Sequence, residues 1–386
     1  MENAARHSPS SVLHPRRILV RGVNWLGDAV MTTPALLRLR EKFPAAHIAL
    51  LTPEKLADLW GNHPAVDEII PFGPGENVFS TGKKLRAANF DLALVLPNSP
   101  RSALEVFFAG IPQRIGGARP WRNFFLTQAV PPRTGMAWMR KRPIGEIKKL
   151  AAADGNHRPI SEDDVLPNAA ITHQTHEYLH LVAALGANPE PLAPQLLIQD
   201  REVEAAKQKF GLGKISQPMF SLNPGAEYGP AKRWPAEKFI AVAKEIQKST
   251  DCFWLLFGGR NDEPLAAQIQ SAIGIRQSAI NLAGQTSLRE LMALLKLCRV
   301  VLTNDTGPMH VAAALGVSVV VPFGSTSPEL TGPGLPGDPR HRLLKSDAPC
   351  SPCFLRECPI DFRCMNGISA GRVVEAVMKS LQTDSL

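Results

Sequence analysis

Three kinds of segment are missing from the 386-residue sequence. No run of apolar residues approaches the roughly 20 that a membrane-spanning helix needs. The first fifteen residues, MENAARHSPSSVLHP, contain no apolar stretch of about 7–15 residues such as a signal peptide carries. The glycine-rich GxGxxG loop is also missing, because only Gly22 and Gly27 follow the first apolar run. We therefore expect a cytoplasmic chain with a disordered tail at residues 1–15, and we do not expect a dinucleotide-dependent dehydrogenase.

Cysteine is scarce, and four of the six cysteines lie close together near the C-terminus. Cys350, Cys353, Cys358 and Cys364 follow a C-x2-C-x4-C-x5-C pattern. Thiols of a cytoplasmic protein are normally reduced. Four thiolates can hold a structural zinc ion, although this pattern lacks two well-separated C-x2-C pairs. The alternatives are reduced thiols packed in a loop, which we favour, a structural metal site and a disulfide.

The length and the repeating pattern of apolar segments predict two α/β domains. A chain of 386 residues is about right for two domains of roughly 150–200 residues each. From Arg17 the apolar runs RILVRG, HIALLT and FDLALVLP alternate with helical stretches, and the pattern restarts after Pro218 with MFSLNPG and CFWLLFGG. Continuous apolar strands of this kind are typical of a parallel sheet covered on both faces. We predict two doubly wound, Rossmann-like domains.

The predicted boundaries follow from composition along the chain. We place the first domain at residues 16–190, a linker at 191–215 and the second domain at 216–365. The linker is predicted from the segment PEPLAPQ and from the polar helical segment REVEAAKQKF that follows it. Residues 366–386 predict an amphipathic helix that packs back on the first domain. Because ligands of such sheets bind at the carboxyl ends of the strands, the candidate site residues lie there.

Asp28 follows the first predicted strand, in the segment RGVNWLGDAVMTTPALLRLR. A carboxylate at this position can face the cleft between the domains and act as a general base toward a substrate hydroxyl. The alternative is a helix N-cap, which is a common role for aspartate. The segment by itself favours the cap.

The second domain carries several polar groups at predicted strand ends. In VVLTNDTGPMHVAAALG, a helix that begins near Pro308 directs backbone N–H groups toward an anion. A lysine in the loop LNPGAEYGPAKRWP can neutralise a leaving phosphate. Helix caps and solvated loop residues are the alternatives for each group. Together they predict a pocket for a nucleoside diphosphate, and the candidate residues are Lys232, Glu263, Asp305, Thr306, Gly307, His310, Ser325 and Thr326.

The excess positive charge is concentrated in one segment. The chain has 43 Lys and Arg against 35 Asp and Glu, a formal net charge of +8. Residues 101–149 hold ten of these cations and only two acids, so the rest of the chain balances at 33 of each sign. Aromatic residues are interleaved there, as in surfaces that meet anionic lipid headgroups, although a solvated loop is the alternative. We predict an acceptor or membrane surface that includes Arg119, Arg122, Arg140, Lys141 and Arg142.

Four motifs spread over both halves resemble one enzyme family. GDAVMTTPALLRLR, NPGAEYGPAKRWP, NDTGPMHVAAALG and PFGSTSPELTGP are similar in order and spacing to the ADP-heptose:lipopolysaccharide heptosyltransferases of glycosyltransferase family 9. The resemblance covers roughly residues 16–380. The C-terminal segment CSPCFLRECPIDFRCM further resembles the heptosyltransferase II branch.

The resemblance implies a GT-B fold with the acceptor bound by the first domain and ADP-heptose by the second. It makes Asp28 the catalytic base, Lys232 a diphosphate contact, Asp305 a donor-sugar contact, Thr306 with Gly307 the phosphate-binding turn and Glu263 a ribose contact. The implied reaction is an inverting transfer of L-glycero-D-manno-heptose to the heptosyl-Kdo inner core, with no catalytic metal. The alternatives are another nucleotide sugar or acceptor within the family, or a non-catalytic nucleotide-sugar binding protein.

The resemblance also implies partners and a location. The acceptor would be lipid A-Kdo-heptose, reached by peripheral contact with the cytoplasmic face of the inner membrane. A basic acceptor surface fits that anionic lipid. No nucleic-acid partner is expected, because the sequence contains no recognised nucleic-acid-binding motif.

Overall fold

The first half of the chain forms a six-stranded parallel sheet. A computed structural model describes residues 14–134, 136, 139–153, 172–273, 278–335 and 337–383. The tail predicted at residues 1–15 lies almost entirely outside the described residues. The strands are β1 (Arg17–Arg21), β2 (His47–Pro53), β3 (Glu68–Phe72), β4 (Leu92–Val95), β5 (Gln113–Gly117) and β6 (Gln128–Val130). Their order in the sheet is β3-β2-β1-β4-β5-β6, and neighbouring strands are parallel.

The second half forms a sheet with the same topology. Its strands are β7 (Met219–Asn223), β8 (Phe253–Leu256), β9 (Ala279–Asn281), β10 (Cys298–Thr303), β11 (Ser318–Pro322) and β12 (Arg342–Leu344). Their order is β12-β11-β10-β7-β8-β9, again parallel throughout. The central pair of strands is β1 and β4 in the first sheet and β7 and β10 in the second. From each central pair, the strand order runs outward in opposite directions. A crevice for ligands forms at the carboxyl ends of such a pair.

Helices cover both faces of the two sheets. In the first half they are α1 (Leu26–Met31), α2 (Thr33–Lys42), α3 (Glu54–Ala57), α4 (Val78–Arg86), α5 (Pro100–Phe108), α6 (Ile144–Ala152) and α7 (Thr175–Ala183). In the second half they are α8 (Asp200–Lys209), α9 (Ala236–Thr250), α10 (Glu263–Ile273), α11 (Leu288–Lys296), α12 (Gly307–Ala314), α13 (Pro328–Thr331), α14 (Arg363–Asn366) and α15 (Ala370–Thr383). Side-chain caps fix several starts, as where the Ser99 hydroxyl accepts a hydrogen bond from the Ser102 N–H at α5.

The central strands are buried on both faces. In β1, Ile18 and Val20 belong to a core cluster with Leu39 of α2, whereas Leu19 belongs to a second cluster with Val106 of α5. All three β1 side chains are fully buried. Side chains that alternate between two apolar layers explain why these strands are continuously apolar. The prediction of doubly wound parallel sheets is confirmed.

The predicted linker contains a helix that belongs to the second half. Helix α8 packs on α11, and the Glu202 carboxylate binds the Arg289 guanidinium at 2.6 and 2.8 Å. Ala206, on the inner side of α8, is buried. Residues 200–209 are therefore a packed element, and the second structural unit begins before residue 216.

The prediction that the C-terminal helix packs back on the first domain is wrong. Val373, Ala376 and Val377 of α15 are buried in the same cluster as Phe239 and Val242 of α9. The helix also contacts β10, β11 and β12. These three residues form an apolar stripe at i, i+3 and i+4, and this stripe covers a sheet face of the second half.

Within the residues that the structure describes, no helix is both long enough and apolar enough to cross a membrane.

Candidate active site

Asp28 lies in the first turn of α1, immediately after the loop that ends β1. The N-cap of α1 is Trp25, so the alternative role of Asp28 as the cap is wrong. The Asp28 Oδ1 atom accepts a hydrogen bond from Gln174 Nε2 at 3.4 Å, and the same amide donates to the Tyr178 hydroxyl at 2.8 Å. The side chain of Asp28 is thus oriented by residues beside and within α7.

Partial burial raises the pKa of Asp28 to about 6. Desolvation of the carboxylate is the largest cause, and the negative charge of Asp305 adds to it. The hydrogen bond from Gln174 and the positive charge of Lys232 act in the opposite direction. A carboxylate with a pKa near 6 is ionised at neutral pH and is a stronger base than an ordinary aspartate.

A compact ionic network follows the central strands of the second sheet. The Lys232 Nζ atom lies 2.6 Å from Asp305 Oδ2, and the Thr326 hydroxyl donates to the same oxygen at 2.5 Å. These residues follow β7, β10 and β11, so the parallel topology brings them to one edge. Lys232 also lies 5.0 Å from the centroid of the Tyr228 ring. The ammonium group is held in place by a carboxylate and an aromatic face.

Thr306 occupies the N-cap position of α12 without using its hydroxyl as the cap. That hydroxyl instead accepts a hydrogen bond from Asn223 Nδ2 at 3.0 Å and lies 3.3 Å from the Thr303 hydroxyl. Asn304 crosses between the same two loops, donating to the Pro224 carbonyl at 2.7 Å and accepting from the Trp234 N–H at 3.0 Å. The loops after β7 and β10 are therefore locked together around the start of α12.

The two halves meet where α1 packs against α12. A Cβ added to Gly27 would lie 2.7 Å from His310 Cδ2, and one added to Gly307 would lie 2.8 Å from Leu26 Cβ. Each helix therefore has a glycine where the other approaches most closely. His310 is buried in this contact, and burial lowers its pKa to about 4, so it is neutral at pH 7. This contact sets the position of Asp28 relative to the network of Lys232 and Asp305.

A cavity of about 420 Å³ lies on the first-half side of Asp28. Its polar lining includes Asn24, Asn98, Arg119 and Gln174, and Leu96, Val130 and Leu181 contribute apolar walls. Leu330 from the second half closes one side. Asp28 thus lines the cavity and lies close enough to the Lys232 network that both Lys232 and Asp305 perturb its pKa.

Comparisons with known proteins show which family the chain belongs to. The family model described as glycosyltransferase family 9 (heptosyltransferase) matches residues 123–362. The chain belongs to glycosyltransferase family 9. It is 32% identical over 332 residues to lipopolysaccharide heptosyltransferase 2 of Escherichia coli strain K12, covering 82% of this chain and 85% of that relative.

Two further relatives extend over nearly the whole length of the glycosyltransferase. Lipooligosaccharide heptosyltransferase 2 of Campylobacter jejuni is 32% identical over 376 residues, which cover 96% of this chain and all of that protein. The solved structure of ADP-heptose lipopolysaccharide heptosyltransferase II from E. coli superposes with a TM-score of 0.74 at 29% identity, covering 96% and 100% of the two chains. The prediction of a GT-B fold is confirmed.

The structure brings most of the predicted donor residues of the glycosyltransferase together, but not all of them. Lys232, Asp305, Thr306 and Thr326 belong to one network. Glu263 is exposed in the first turn of α10 and takes no part in that network. Ser325 is buried, and its carbonyl accepts hydrogen bonds from the N–H groups of Cys353 and Phe354 at 3.1 and 2.7 Å. Gly307 and His310 lie at the contact between the halves.

Two of the predicted surface cations are not on the surface. Arg122 is fully buried, where its guanidinium donates to the Pro97 carbonyl at 2.6 Å, and burial lowers its pKa to about 10. Arg142 is largely covered, and its side chain donates to the Pro352 carbonyl at 2.9 Å. Each of these guanidinium groups therefore ties its segment to a backbone carbonyl elsewhere in the fold.

The other three cations have different surroundings. Arg119 lines the cavity beside Asp28. Arg140 is exposed and pairs with Glu146 at 2.8 Å, and Lys141 is exposed. The segment that carries them packs against the second half, since the Arg142 N–H donates to the Cys353 carbonyl at 3.0 Å and Arg363 donates to the Ala151 carbonyl at 2.9 Å. Much of this basic segment is thus an interdomain connection.

The four clustered cysteines form part of that connection. Cys350 and Cys353 are buried against Ile147 of α6. Cys364 is buried and Cys358 is partly exposed, and all six cysteines of the chain are free thiols. In the described part of the chain, no three or more His, Cys, Asp or Glu side chains are arranged as a metal site.

Three polar residues of the site were not among those predicted from the sequence. Asn223 and Asn304 lie inside the motifs LNPG and NDTG, so these motifs carry a sequence signal for them. Gln174 orients Asp28 from 146 residues away in the chain, in a segment without any motif. Only the folded chain shows that contact.

Proposed function

We propose that this family 9 glycosyltransferase transfers L-glycero-D-manno-heptose from ADP-heptose to the heptosyl-Kdo inner core of lipopolysaccharide, with inversion at the anomeric carbon. The supporting observation is that Asp28 lines the first-half cavity and is close enough to the Lys232–Asp305 pair for both charges to act on its pKa. A base at this position can serve an acceptor bound by one half and an activated sugar bound by the other.

In this proposal Asp28 removes a proton from the acceptor hydroxyl. The acceptor sugar occupies the cavity, where Arg119 supplies a positive charge for an anionic acceptor. The oxygen then attacks the anomeric carbon from the face opposite ADP, so the new bond forms as the bond to the diphosphate breaks. Gln174 keeps the carboxylate aimed at the cavity by its hydrogen bond to Oδ1.

The second half stabilises the departing diphosphate. Negative charge grows on the leaving group in the transition state, and preorganised positive groups lower its energy. Lys232 is held by Asp305, and the N-terminus of α12 directs the positive end of the helix dipole to the same region. These groups need no rearrangement during the reaction.

The acceptor assay tests this proposal. Purified protein is incubated with ADP-heptose and a truncated core ending in one heptose, and release of ADP is followed. We expect release that depends on the acceptor, and little release with ADP-glucose. Equal rates with ADP-glucose, or release only in the absence of acceptor, would reject the proposed donor and acceptor.

The rate should fall at acid pH with a midpoint near 6. Asp28 acts as a base only when ionised, and its pKa is about 6 instead of 3.8, so protonation removes activity as the pH falls through 6. The measurement is kcat/KM from about pH 5 to about pH 8. Gln174→Leu removes a hydrogen bond that lowers this pKa, so its acid limb should move to higher pH. A wild-type profile that stays flat down to about pH 5 would contradict the assignment.

We further propose that charge stabilisation does not require a divalent cation. Asp305 Oδ2, a carboxylate oxygen of the proposed donor site, is already bound by an ammonium and a hydroxyl group. Heptose transfer should therefore persist in excess EDTA at a rate within about twofold of the untreated enzyme. Complete loss that Mg²⁺ restores would overturn this part of the proposal.

Peripheral contact with the cytoplasmic face of the inner membrane is part of the same proposal. An acceptor anchored by lipid A keeps its acyl chains in the bilayer, so the enzyme must work at the membrane surface. The cations at Arg140 to Arg142 support this contact less than the sequence predicted, because Arg142 is internal and Arg140 is paired.

A further inference from the structure

An exposed row of phenylalanine rings runs across the first half of the molecule. Ring centroids lie 4.5 Å apart for Phe79 and Phe108, 5.6 Å for Phe108 and Phe107, 5.4 Å for Phe107 and Phe125, and 5.5 Å for Phe125 and Phe124. We call these five rings the phenylalanine ridge. Its two ends are open to solvent, with Phe79 66% exposed and Phe124 83% exposed. A contiguous apolar patch of this kind usually marks an interaction site.

Three separate elements contribute to the phenylalanine ridge. Phe79 lies on α4, Phe107 and Phe108 on α5, and the other two rings on the 3-10 turn Asn123–Phe125. Helices α4 and α5 approach closely at Gly82, where an added Cβ would lie 2.8 Å from Phe108 Cβ. The ridge is therefore a product of the fold and has no single sequence motif.

Trp121 is a further exposed aromatic residue, in the loop that precedes Phe124. Its side chain is 89% exposed, and its backbone has φ +68°, a conformation that is unfavourable for a bulky residue. The next residue, Arg122, is fully buried and anchors the loop to the Pro97 carbonyl. An exposed indole in this conformation contributes little to folding, so its value must lie in an external contact.

The charges around the phenylalanine ridge are positive. The Arg114 guanidinium lies 5.4 Å from the centroid of Phe107, Arg86 donates to the Phe108 carbonyl at 2.7 Å, and Lys83 is exposed one turn after Phe79. The stretch from residue 77 to residue 127 contains seven Lys and Arg against two acids, and six of these cations remain when the buried Arg122 is left out. Of these acids, Glu105 is buried against Arg21 and Arg101, and Asp91 accepts hydrogen bonds from the Arg16 and Arg17 N–H groups.

The same loop connects this surface to the cavity. Gly117 and Arg119 line the cavity beside Asp28, and Trp121 lies only two residues beyond Arg119. An acceptor held by this loop would therefore have its sugar in the cavity while its lipid portion lies toward Trp121 and the phenylalanine ridge.

We propose that the phenylalanine ridge, together with Trp121, inserts into the interface of an anionic lipid bilayer. Aromatic rings favour the boundary between headgroups and acyl chains, and flanking cations attract anionic headgroups. The inference rests on the proposed function in one respect only: the proposed function gives the reason why this surface and the cavity share a loop. The contact with lipid follows from the exposed rings and the surrounding charge, so it can be tested without the reaction.

The test compares binding of the full-length protein to vesicles of equal parts phosphatidylglycerol and phosphatidylcholine and to vesicles of phosphatidylcholine alone. We expect wild type to bind the anionic vesicles at least about tenfold more tightly. A triple variant, Phe79→Ser, Trp121→Ser and Phe124→Ser, should lose about tenfold or more of that binding. Leu197→Ser is the matched control, because it removes another exposed apolar side chain, 45% exposed, away from this surface. Near-equal melting temperatures will show that each variant is folded.

Activity then separates this inference from the proposed reaction. With an acceptor embedded in anionic vesicles, the triple variant should have a raised KM and an unchanged kcat. With a delipidated, soluble core as the acceptor, the triple variant should be as active as wild type. Vesicle binding without any heptose transfer would reject the proposed reaction and support the proposed contact with lipid. The proposed lipid contact would be overturned if the triple variant bound vesicles as tightly as wild type. It would also be overturned if wild type self-associated in solution without binding lipid and the triple variant abolished that self-association.

Discussion

Replacing Asp28 by asparagine should lower kcat for heptose transfer by about 10³-fold while the affinity for ADP-heptose changes little. The asparagine side chain keeps the shape of the aspartate and can still contact Gln174, but it cannot accept the proton of the acceptor hydroxyl. The measurement is steady-state transfer to a truncated core, with calorimetric titration of ADP-heptose as the test of donor binding.

Stability provides the internal control for Asp28→Asn. The folded protein raises the pKa of Asp28 above its ordinary value of 3.8, so the ionised side chain costs stability at neutral pH. Removing that charge should leave the melting temperature equal or higher, and an inactive variant would then be inactive for chemical reasons. Asp58→Asn removes an exposed carboxylate from the same half and should keep full activity. Activity of Asp28→Asn within about tenfold of wild type would reject the assignment of the base.

Replacing Lys232 by methionine should lower kcat by about 10²–10³-fold. Methionine preserves most of the length of the side chain and its contact with Tyr228, but it supplies no charge for the departing diphosphate. Because the charge on the leaving group grows toward the transition state, the loss in kcat should exceed any increase in KM for ADP-heptose. Lys244→Met, which removes an exposed lysine from α9, is the matched control.

A second variant separates the role of Lys232 in catalysis from its role in folding. Lys232 pairs with Asp305, a carboxylate that is only 4% exposed, so Lys232→Met leaves a buried charge without its cation. Combining it with Asp305→Asn removes that charge and should recover stability. The double variant should still transfer heptose slowly. Recovery of activity together with stability would show that Lys232 serves the fold alone.

The sequence predicted the parts of this enzyme that depend on the pattern of residues within short segments. Alternation of apolar runs with helical stretches predicted both sheets, because a strand buried on two faces must be continuously apolar. Asp28, Lys232 and Asp305 were candidates because each follows a predicted strand, and the resemblance to family 9 supplied their roles. In a parallel sheet such positions converge at one edge.

The parts that the sequence could not predict depend on distant contacts. Gln174 reaches Asp28, and Arg122 turns inward to the Pro97 carbonyl, through packing that no spacing rule contains. The C-terminal helix has an apolar stripe that could cover either half, and only the assembled sheets show that α9 and β11 receive it. The phenylalanine ridge is a similar case, since its rings come from three elements.

The surplus positive charge has more roles in the structure than the sequence predicts. The sequence concentrates the surplus in residues 101–149, and the structure divides these cations among internal ties, ion pairs and the lining of the cavity. Arg142 joins the first half to the loop that bears the cysteines, and Arg119 lines the cavity with Asp28. The positive charge therefore serves the fold and the cavity as well as any membrane surface.

The most direct test of the proposed reaction is the structure of its product. A truncated core ending in one heptose is incubated with ADP-heptose and either wild-type protein or Asp28→Asn, and the glycan is analysed by mass spectrometry and NMR spectroscopy. The account predicts one added heptose, with anomeric configuration opposite to that of the donor, from wild type alone. Retained configuration, no heptose added by wild type, or equal addition by Asp28→Asn would contradict it.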